Sequence, residues 1–141
     1  MKDIFEKLFK YKAVMQFNPP VDETAAAGAK EVIPAPLMEM YRIFNGGEIF
    51  VPGTKIYGLT GDDKDIITLN QSKTRKMFEI PEEYLIFARM NFGDYICINK
   101  EEPYDLIQWD HENDEEFYSW DSMEEWLNET IEDYERYALG E

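Results

Sequence analysis

The sequence predicts an α+β fold in which helices pack against a mostly antiparallel sheet and an amphipathic C-terminal helix closes the core. Apolar residues recur at helical spacing near both ends of the chain. Residues 84–120 instead alternate short β-prone runs with turn residues, as in an antiparallel meander. The chain has 141 residues, of which 44% are hydrophobic and 15% aromatic. This is enough apolar material for one core, so we expect residues 1–141 to form one domain despite the high charge.

Two helices are predicted before residue 31. The first covers residues 3–15, and its apolar stripe consists of Ile4, Phe5, Leu8 and Phe9. Asn18-Pro19-Pro20 ends this helix, because proline lacks an N–H and disfavours helix in the residue before it. Asp22 or Thr24 then caps a short alanine-rich helix that extends to about Lys30.

A third helix is predicted to begin at Pro34 or Pro36, because a missing N–H costs nothing at a helix entry. Its apolar stripe consists of Leu37, Met40, Tyr41 and Phe44. Asn45-Gly46-Gly47 ends the helix, since glycine accepts the left-handed backbone conformation. Two short strands, at residues 48–51 and 55–59, are expected on either side of a Pro52-Gly53 turn.

The next segment is predicted to add one helix and four strands. Asp63 or Asp65 caps a helix that runs to about Phe78, before Pro81. The strands follow at residues 84–90, 95–99, 105–109 and 116–120. A tight turn at residues 91–94 joins the first two, and an acidic turn at residues 110–115 joins the last two.

The final helix has the strongest start signal in the sequence. Asp121 caps it, and Glu124 completes a capping box three residues later. The buried stripe of this helix comprises Met123, Trp126, Leu127, Thr130, Ile131 and Tyr134. The opposite face is almost entirely acidic, so we expect it to face water or a basic partner.

Charge is distributed very unevenly along the chain. The formal net charge is −16, yet residues 1–100 carry 14 acidic and 13 basic side chains. Residues 101–141 carry the other 16 acidic side chains and a single basic one, Arg136. Such a surface repels phosphate backbones, so we do not expect the protein to bind nucleic acids directly. It attracts a basic protein and accelerates the encounter.

Two features of the sequence indicate a cytoplasmic protein. No run of about 18 apolar residues exists, and the N-terminal residues lack the apolar core of a signal peptide, so neither a membrane span nor export is expected. The one cysteine, Cys97, has no intramolecular partner for a disulfide, which fits a reducing compartment.

The residues that catalysis or metal binding requires are scarce. The only histidine, His111, lies in an acidic turn, and Cys97 is flanked by two isoleucines, which is typical of a core cysteine. Asp110-x-Glu112-x-Asp114 begins like a calcium loop, but Glu115 follows where an EF-hand needs glycine. We therefore expect no enzyme activity, no catalytic residue, no metal and no cofactor.

The candidate partner-binding residues lie in the acidic third of the chain, which also holds all three tryptophans. The tryptophans serve either to wedge the last hairpin against the last helix or to anchor a partner, since Trp and Tyr are enriched at interface hot spots. Trp109 and Tyr118, near the acidic turn, are the candidate anchors. The candidate acids are Asp110, Glu112, Asp114, Glu115, Glu116, Glu125, Glu129, Glu132 and Asp133.

Four segments, in order, resemble the signature of the SUKH superfamily across roughly residues 20–135. They are Ile33-Pro34-x-x-Leu37-x-x-x-Tyr41-x-x-Phe44-Asn45-Gly46-Gly47; Ile56-Tyr57-Gly58-Leu59; Phe87-Ala88 with Phe92-Gly93-Asp94-Tyr95-Ile96-Cys97-Ile98; and Ile107-x-Trp109-Asp110 followed by Trp120-Asp121-Ser122-Met123-x-x-Trp126-Leu127. That superfamily includes fungal cell-wall-synthesis regulators linked to killer-toxin resistance and many bacterial immunity proteins.

The resemblance implies an α+β fold with helices on a mostly antiparallel sheet. It also implies that a bacterial member neutralises a toxin, often a nuclease, delivered by a competing cell. We therefore expect an immunity protein that binds a basic toxin domain through the acidic third. The alternative is a regulatory or scaffolding domain with a non-toxin protein partner. The motif residues of the family fill the core or make turns, so they assign no binding residue.

Overall fold

One antiparallel sheet of seven strands organises the chain in the computed structural model, which describes residues 1–50 and 53–140. The strands are β1 (Gln16–Phe17), β2 (Gly47–Ile49), β3 (Thr54–Ile56), β4 (Tyr84–Met90), β5 (Tyr95–Asn99), β6 (Leu106–Asp110) and β7 (Glu115–Trp120). They lie side by side in chain order, and every neighbouring pair is antiparallel. The predicted α+β class is confirmed, and the meander is longer than the four consecutive strands predicted.

Six α-helices accompany the sheet in the described part of the chain. They are α1 (Lys2–Phe9), α2 (Glu23–Ala29), α3 (Ala35–Tyr41), α4 (Ile66–Gln71), α5 (Thr74–Met77) and α6 (Met123–Tyr137), and a 3₁₀ turn spans Lys12–Val14. Over residues 1–50 and 53–140, no helix combines the length and the apolar character needed to cross a membrane. Val51 and Pro52, part of the predicted strand and turn, lie outside the described residues.

Two predicted helices are interrupted for local reasons. The first stops at Phe9, because the chain must become extended before Gln16 pairs with Glu48 in the sheet. The helix predicted to reach Phe78 divides at Ser72, whose backbone is extended and whose hydroxyl donates to the carbonyl of Leu69 at 2.5 Å. Serine competes with helix formation in this way by hydrogen bonding to nearby backbone groups.

Aspartate and serine side chains begin three of the helices. Asp22 accepts from the N–H of Thr24 at the start of α2, and Asp65 accepts from the N–H of Ile67 at the start of α4. The cap predicted for α6 is wrong by one residue. Ser122, not Asp121, accepts from the N–H of Glu125, at 3.1 Å, because Ser122 has the extended backbone that a cap requires.

Both faces of the central strands are buried. The larger core joins one face to α1, α2, α3 and α6, and its buried side chains include Leu8, Leu37, Tyr41, Phe87 and Trp126. A smaller core covers the other face, where Leu69 and Phe78 pack over Ile86, Cys97 and Trp109. This explains why β4 and β5 lack a simple polar–apolar alternation. The edge strand β7 differs, since residues 115–119 are exposed.

The Asn45-Gly46-Gly47 segment clamps the end of α3 to the chain that follows β3. The Asn45 amide donates to the carbonyl of Leu59 at 2.9 Å and accepts from the N–H of Leu59 at 2.7 Å. Gly46 has a φ of +78°, and a Cβ there would lie 2.5 Å from the carbonyl oxygen of Ile56. The segment therefore needs glycine for its conformation and asparagine for its hydrogen bonds.

Asn45→Ala should lower the free energy of unfolding by about 2–3 kcal/mol, because it leaves two partly buried backbone groups of Leu59 without partners. The measurement is equilibrium urea unfolding. Asn18→Ala is the matched control, since it removes one exposed hydrogen bond to the Asn45 carbonyl and should cost less than about 1 kcal/mol. Equal losses in the two variants would contradict the clamp.

Candidate functional site

The turn between β6 and β7, residues 110–116, forms an acidic hairpin tip ordered by Asp110. Its carboxylate accepts hydrogen bonds from the side-chain amide of Asn113 at 2.9 Å and from the N–H of Glu112 at 2.8 Å. These bonds, that of Asn113 foremost, hold the pKa of the Asp110 carboxyl below its usual range. Glu112, Glu115 and Glu116 are exposed. Asp110 therefore builds the turn that presents the other acids.

A buried carboxylate that the sequence did not reveal anchors the base of this tip. Asp94 accepts from the amide of Gln108 at 2.8 Å and from the N–H of His111 at 3.1 Å, and one of its oxygens lies 2.6 Å from Nδ1 of His111. Potential ligand atoms of Asp94, Asp110 and His111 lie within 4.8 Å of one another. Because the carboxylates already accept the hydrogen bonds that build the hairpin, the cluster has a structural explanation.

Trp109 is not the exposed anchor that its position beside the acidic turn suggested. Its side chain is buried in the smaller core, where the residue is 6% exposed, and its indole N–H donates to the carbonyl of Phe78 at 2.6 Å. The cause is the alternation along β6, which turns Ile107 and Trp109 toward the face that Phe78 covers. Trp109 therefore contributes to the core and not to a partner surface.

An aromatic groove of about 570 Å³ lies between β7 and the C-terminal half of α6. Its aromatic lining consists of Phe50, Phe117, Tyr118, Trp120, Trp126, Tyr134 and Tyr137. Phe117, Tyr118 and Tyr137 are 66%, 47% and 78% exposed, respectively. Tyr118 was predicted as a candidate anchor. The sequence did not single out Phe117, which is the extra residue of a β-bulge between the pairs Gln108–Tyr118 and Trp109–Glu116.

The floor of the aromatic groove is held in place by specific contacts. The indole N–H of Trp120 donates to the carboxylate of Glu129 at 2.8 Å, and the Trp120 ring meets Tyr118 edge-on with centroids 5.0 Å apart. Phe50 stacks on Tyr134 with centroids 4.5 Å apart. These contacts join β7 and the end of β2 to α6, so the groove has a defined shape.

The candidate acids fall into three groups on the structure. Glu129 and Asp133 line the aromatic groove. Asp110, Glu112, Asp114, Glu115 and Glu116 belong to the hairpin tip. Glu125 and Glu132 lie toward α1. Glu125 shares a shallow cleft with Lys7, and Glu132 accepts from the side-chain amide of Asn128, whose Oδ1 accepts from Lys7. The sequence found the acids, but their division into groups depends on how α6 crosses the sheet.

The acids of the last third have few cationic partners among the described residues. In the parts of the chain that the structure describes, no Lys or Arg from residues 1–100 forms an ion pair with a carboxylate beyond residue 100. The pairs that do form there are weak in geometry, Arg136 with Asp133 and His111 with Glu112, each at 3.8 Å. The lysine and arginine side chains of residues 1–100 therefore do not neutralise these carboxylates by direct ion pairs.

Cys97 and His111 are poorly placed for nucleophilic catalysis. Cys97 is fully buried, and burial raises the pKa of its thiol to about 12. His111 contacts Asp94 and Glu112, and its ring nitrogens make no contact with Cys97 among the hydrogen bonds and ion pairs of the described residues. Cys97 and His111 therefore do not form the nucleophile–base pair that covalent catalysis uses.

The Cys97 thiol should not react with Ellman's reagent at mildly alkaline pH while the protein is folded, since both burial and the raised pKa suppress the thiolate. In concentrated guanidinium chloride it should react stoichiometrically. The measurement is the absorbance of the released thionitrobenzoate. Rapid reaction of the folded protein would mean that Cys97 is accessible.

Trp109→Ala should destabilise the protein by about 3–5 kcal/mol, because it empties part of the smaller core. Trp109→Phe should cost about 1 kcal/mol, chiefly through the lost hydrogen bond to Phe78. Phe117→Ala is the control at an exposed aromatic residue and should change stability by less than about 0.5 kcal/mol. Thermal and urea unfolding measure all three; a neutral Trp109→Ala would show that the indole is not part of the core.

The fold and these surfaces define a small α+β domain whose exposed features suit binding. A family model for the SMI1/KNR4 family (SUKH-1) matches residues 30–129. The chain belongs to this family, which confirms the resemblance drawn from its motifs. Members are generally not enzymes, and the family is associated with protein–protein interaction. None of the curated proteins gives a significant match.

Proposed function

We propose that this chain is an immunity protein that neutralises a basic toxin domain by direct binding. The observation that carries the proposal is the separation of charge, with 16 acidic side chains and only Arg136 among residues 101–141. Membership of the SMI1/KNR4 family supports a binding role, because the family is associated with protein–protein interaction. The partner is basic, since only a basic surface complements this charge.

The hairpin tip and the rim of the aromatic groove act at long range. The exposed carboxylates of Glu112, Glu115 and Glu116 have no lysine or arginine partner among the described residues, so their field extends into solvent. Such a field raises association rates toward about 10⁸–10⁹ M⁻¹s⁻¹ at low salt, well above the rates of neutral protein pairs. It also rejects acidic partners and other copies of this chain.

The aromatic groove acts at short range. Phe117, Tyr118 and Tyr137 offer exposed rings beside the carboxylates of Glu129 and Asp133. Burying such rings gives apolar binding energy that salt does not screen, and hot spots of protein interfaces are enriched in aromatic residues surrounded by polar ones. A basic segment with an apolar anchor therefore fits here, with its Lys or Arg on the acidic rim and its apolar side chain in the groove.

Binding of this kind inhibits a nuclease without any reaction on the part of the immunity protein. A nuclease contacts the phosphates of its substrate through Lys and Arg side chains. A surface of carboxylates that covers those cations occupies the path of the phosphates. The complex dissociates only when both the ion pairs and the aromatic contacts break. Because the charges act mainly on association, the dissociation rate depends mainly on the aromatic groove.

Replacing Glu115 and Glu116 together by Gln should slow association with a toxin domain encoded by an adjacent gene, identified first from the genomic neighbourhood, by about threefold or more at low ionic strength. The physical reason is the loss of two unpaired charges from the hairpin tip. The measurement is stopped-flow fluorescence from about 0.01 M to about 1 M ionic strength, over which the Debye length falls from about 30 Å to about 3 Å.

The matched control replaces another exposed pair of adjacent glutamates, Glu82 and Glu83, by Gln and should slow association less than the Glu115/Glu116 change does. Phe117→Ala should instead raise the dissociation rate, by about tenfold if Phe117 is a hot spot. A rate that ignores both salt and the Glu115/Glu116 change would overturn the electrostatic part of the proposal. If the adjacent toxin is not bound at all, the regulatory or scaffolding alternative takes its place.

A further inference from the structure

A second cavity, of about 680 Å³, shares no residue with the aromatic groove. Its walls come from four segments that are distant in sequence: residues 30–35 with Met38 and Arg42 around α3; Ile67, Asn70 and Gln71 of α4; Leu85 of β4; and Lys100 and Tyr104 after β5. We call it the basic cavity. Its volume lies within the range of about 300–1,000 Å³ that is usual for small-molecule sites.

Part of the lining of the basic cavity is apolar. Ile33, Met38 and Leu85 are buried side chains of the larger core that also line the cavity. Val32, at 54% exposed, is an apolar side chain left open to solvent in its wall. An apolar wall that water reaches gains free energy when an apolar group covers it. The cavity therefore suits the apolar body of a ligand.

The basic cavity has more cationic than anionic side chains in its lining, whereas the protein as a whole has a negative net charge. Lys30, Arg42 and Lys100 line it, and Glu31 is the one acidic residue among its walls. Within residues 1–50 and 53–140, neither Lys30 nor Lys100 forms an ion pair, and Arg42 only approaches the exposed Glu23, at 3.8 Å. In a chain of net charge −16, three cations thus face one cavity with little neutralisation.

We propose that the basic cavity binds a small amphipathic ligand with an apolar body and one anionic head group, a carboxylate or a phosphate monoester. The body lies against Ile33, Met38 and Leu85, and the head group lies near Lys30 and Lys100. Charge selects this class, because the cations attract an anion. The strongly acidic remainder of the surface repels an extended polyanion, which restricts the ligand to a small molecule.

This site is independent of the proposed toxin binding, since the two surfaces have no lining residue in common. Failure of one proposal therefore leaves the other standing. A ligand in the basic cavity would also stabilise the junction of α3, α4 and β4, because it binds the folded state alone.

The first experiment compares four probes that share a ten-carbon chain and differ in head group: decanoate, decyl phosphate, decanol and decyltrimethylammonium. Each is titrated into the full chain and followed by ¹H–¹⁵N correlation spectra. Decanoate or decyl phosphate should bind with one-to-one stoichiometry, shift the amide signals of Ile33, Met38, Ile67 and Leu85, and bind about three- to tenfold more tightly than decanol at low salt. The better of these two anions identifies the head group.

The second experiment asks whether the lysines select the anion. The double variant Lys30→Gln/Lys100→Gln should reduce the preference for decanoate or decyl phosphate over decanol to less than about twofold. The matched control, Lys73→Gln/Lys76→Gln, makes the same change of charge at exposed lysines of the α5 region outside the cavity and should keep the preference.

The third experiment closes the cavity. Gln71 is an exposed residue of its wall, so Gln71→Trp should fold normally and weaken binding of the anionic probe at least about tenfold by occupying the cavity. Circular dichroism confirms the fold of each variant. The proposal is overturned if decanol binds as tightly as both anions, if the shifted signals belong to the aromatic groove, or if Gln71→Trp is folded and binds unchanged.

Discussion

The central strands of the sheet bury both of their faces, and the placement of the helices depends on this constraint. The buried residues of β4 and β5 alternate between a larger core on one side and a smaller core on the other. Helices α1, α2, α3 and α6 satisfy the first side, and the segment of α4 and α5 satisfies the second. Because the strands follow one another in chain order, β7 becomes an edge that these layers only partly cover.

The exposed edge accounts for both the acids and the aromatic groove. Two glutamates begin β7 and a bulge follows at Phe117, features that discourage an edge strand from pairing with copies of itself. Those same charges do not oppose a basic partner. Helix α6 crosses beside this edge and adds Glu129, Asp133 and Tyr137, and residues of β2, β3, β4 and β6 complete the groove.

Concentrating 15 net negative charges in residues 101–141 costs stability through self-repulsion. The acids are placed where that cost is smallest, on exposed turns and on the outer face of α6, while Trp109, Trp120 and Trp126 from the same segment are buried. The basic cavity shows the complementary arrangement, since cations of the first hundred residues gather around apolar walls. Two surfaces of opposite charge thus coexist on one fold.

Much of the fold followed from local patterns. The Asn45-Gly46-Gly47 stop, the strands at residues 84–90 and 95–99 and most of the α6 stripe were predictable because periodicity and turn chemistry act between near neighbours. Thr130 and Tyr134 of that predicted stripe are only partly buried. The choice of Ser122 over Asp121 as the cap of α6 could not be predicted in this way. Both residues have side chains suited to capping, and only the path of the backbone distinguishes them.

The sequence by itself determined the fold class, the family likeness and the segregation of acidic residues into the last third. The tertiary structure decided that Trp109 is buried while Tyr118 is exposed, that Glu129 and Asp133 rather than Glu125 border the aromatic groove, and that a basic cavity exists at all. The physical reason is the sequence separation of the residues involved. Composition and periodicity are properties of residues that are near one another in the chain. Burial and shared surfaces instead depend on which distant segments the sheet brings together.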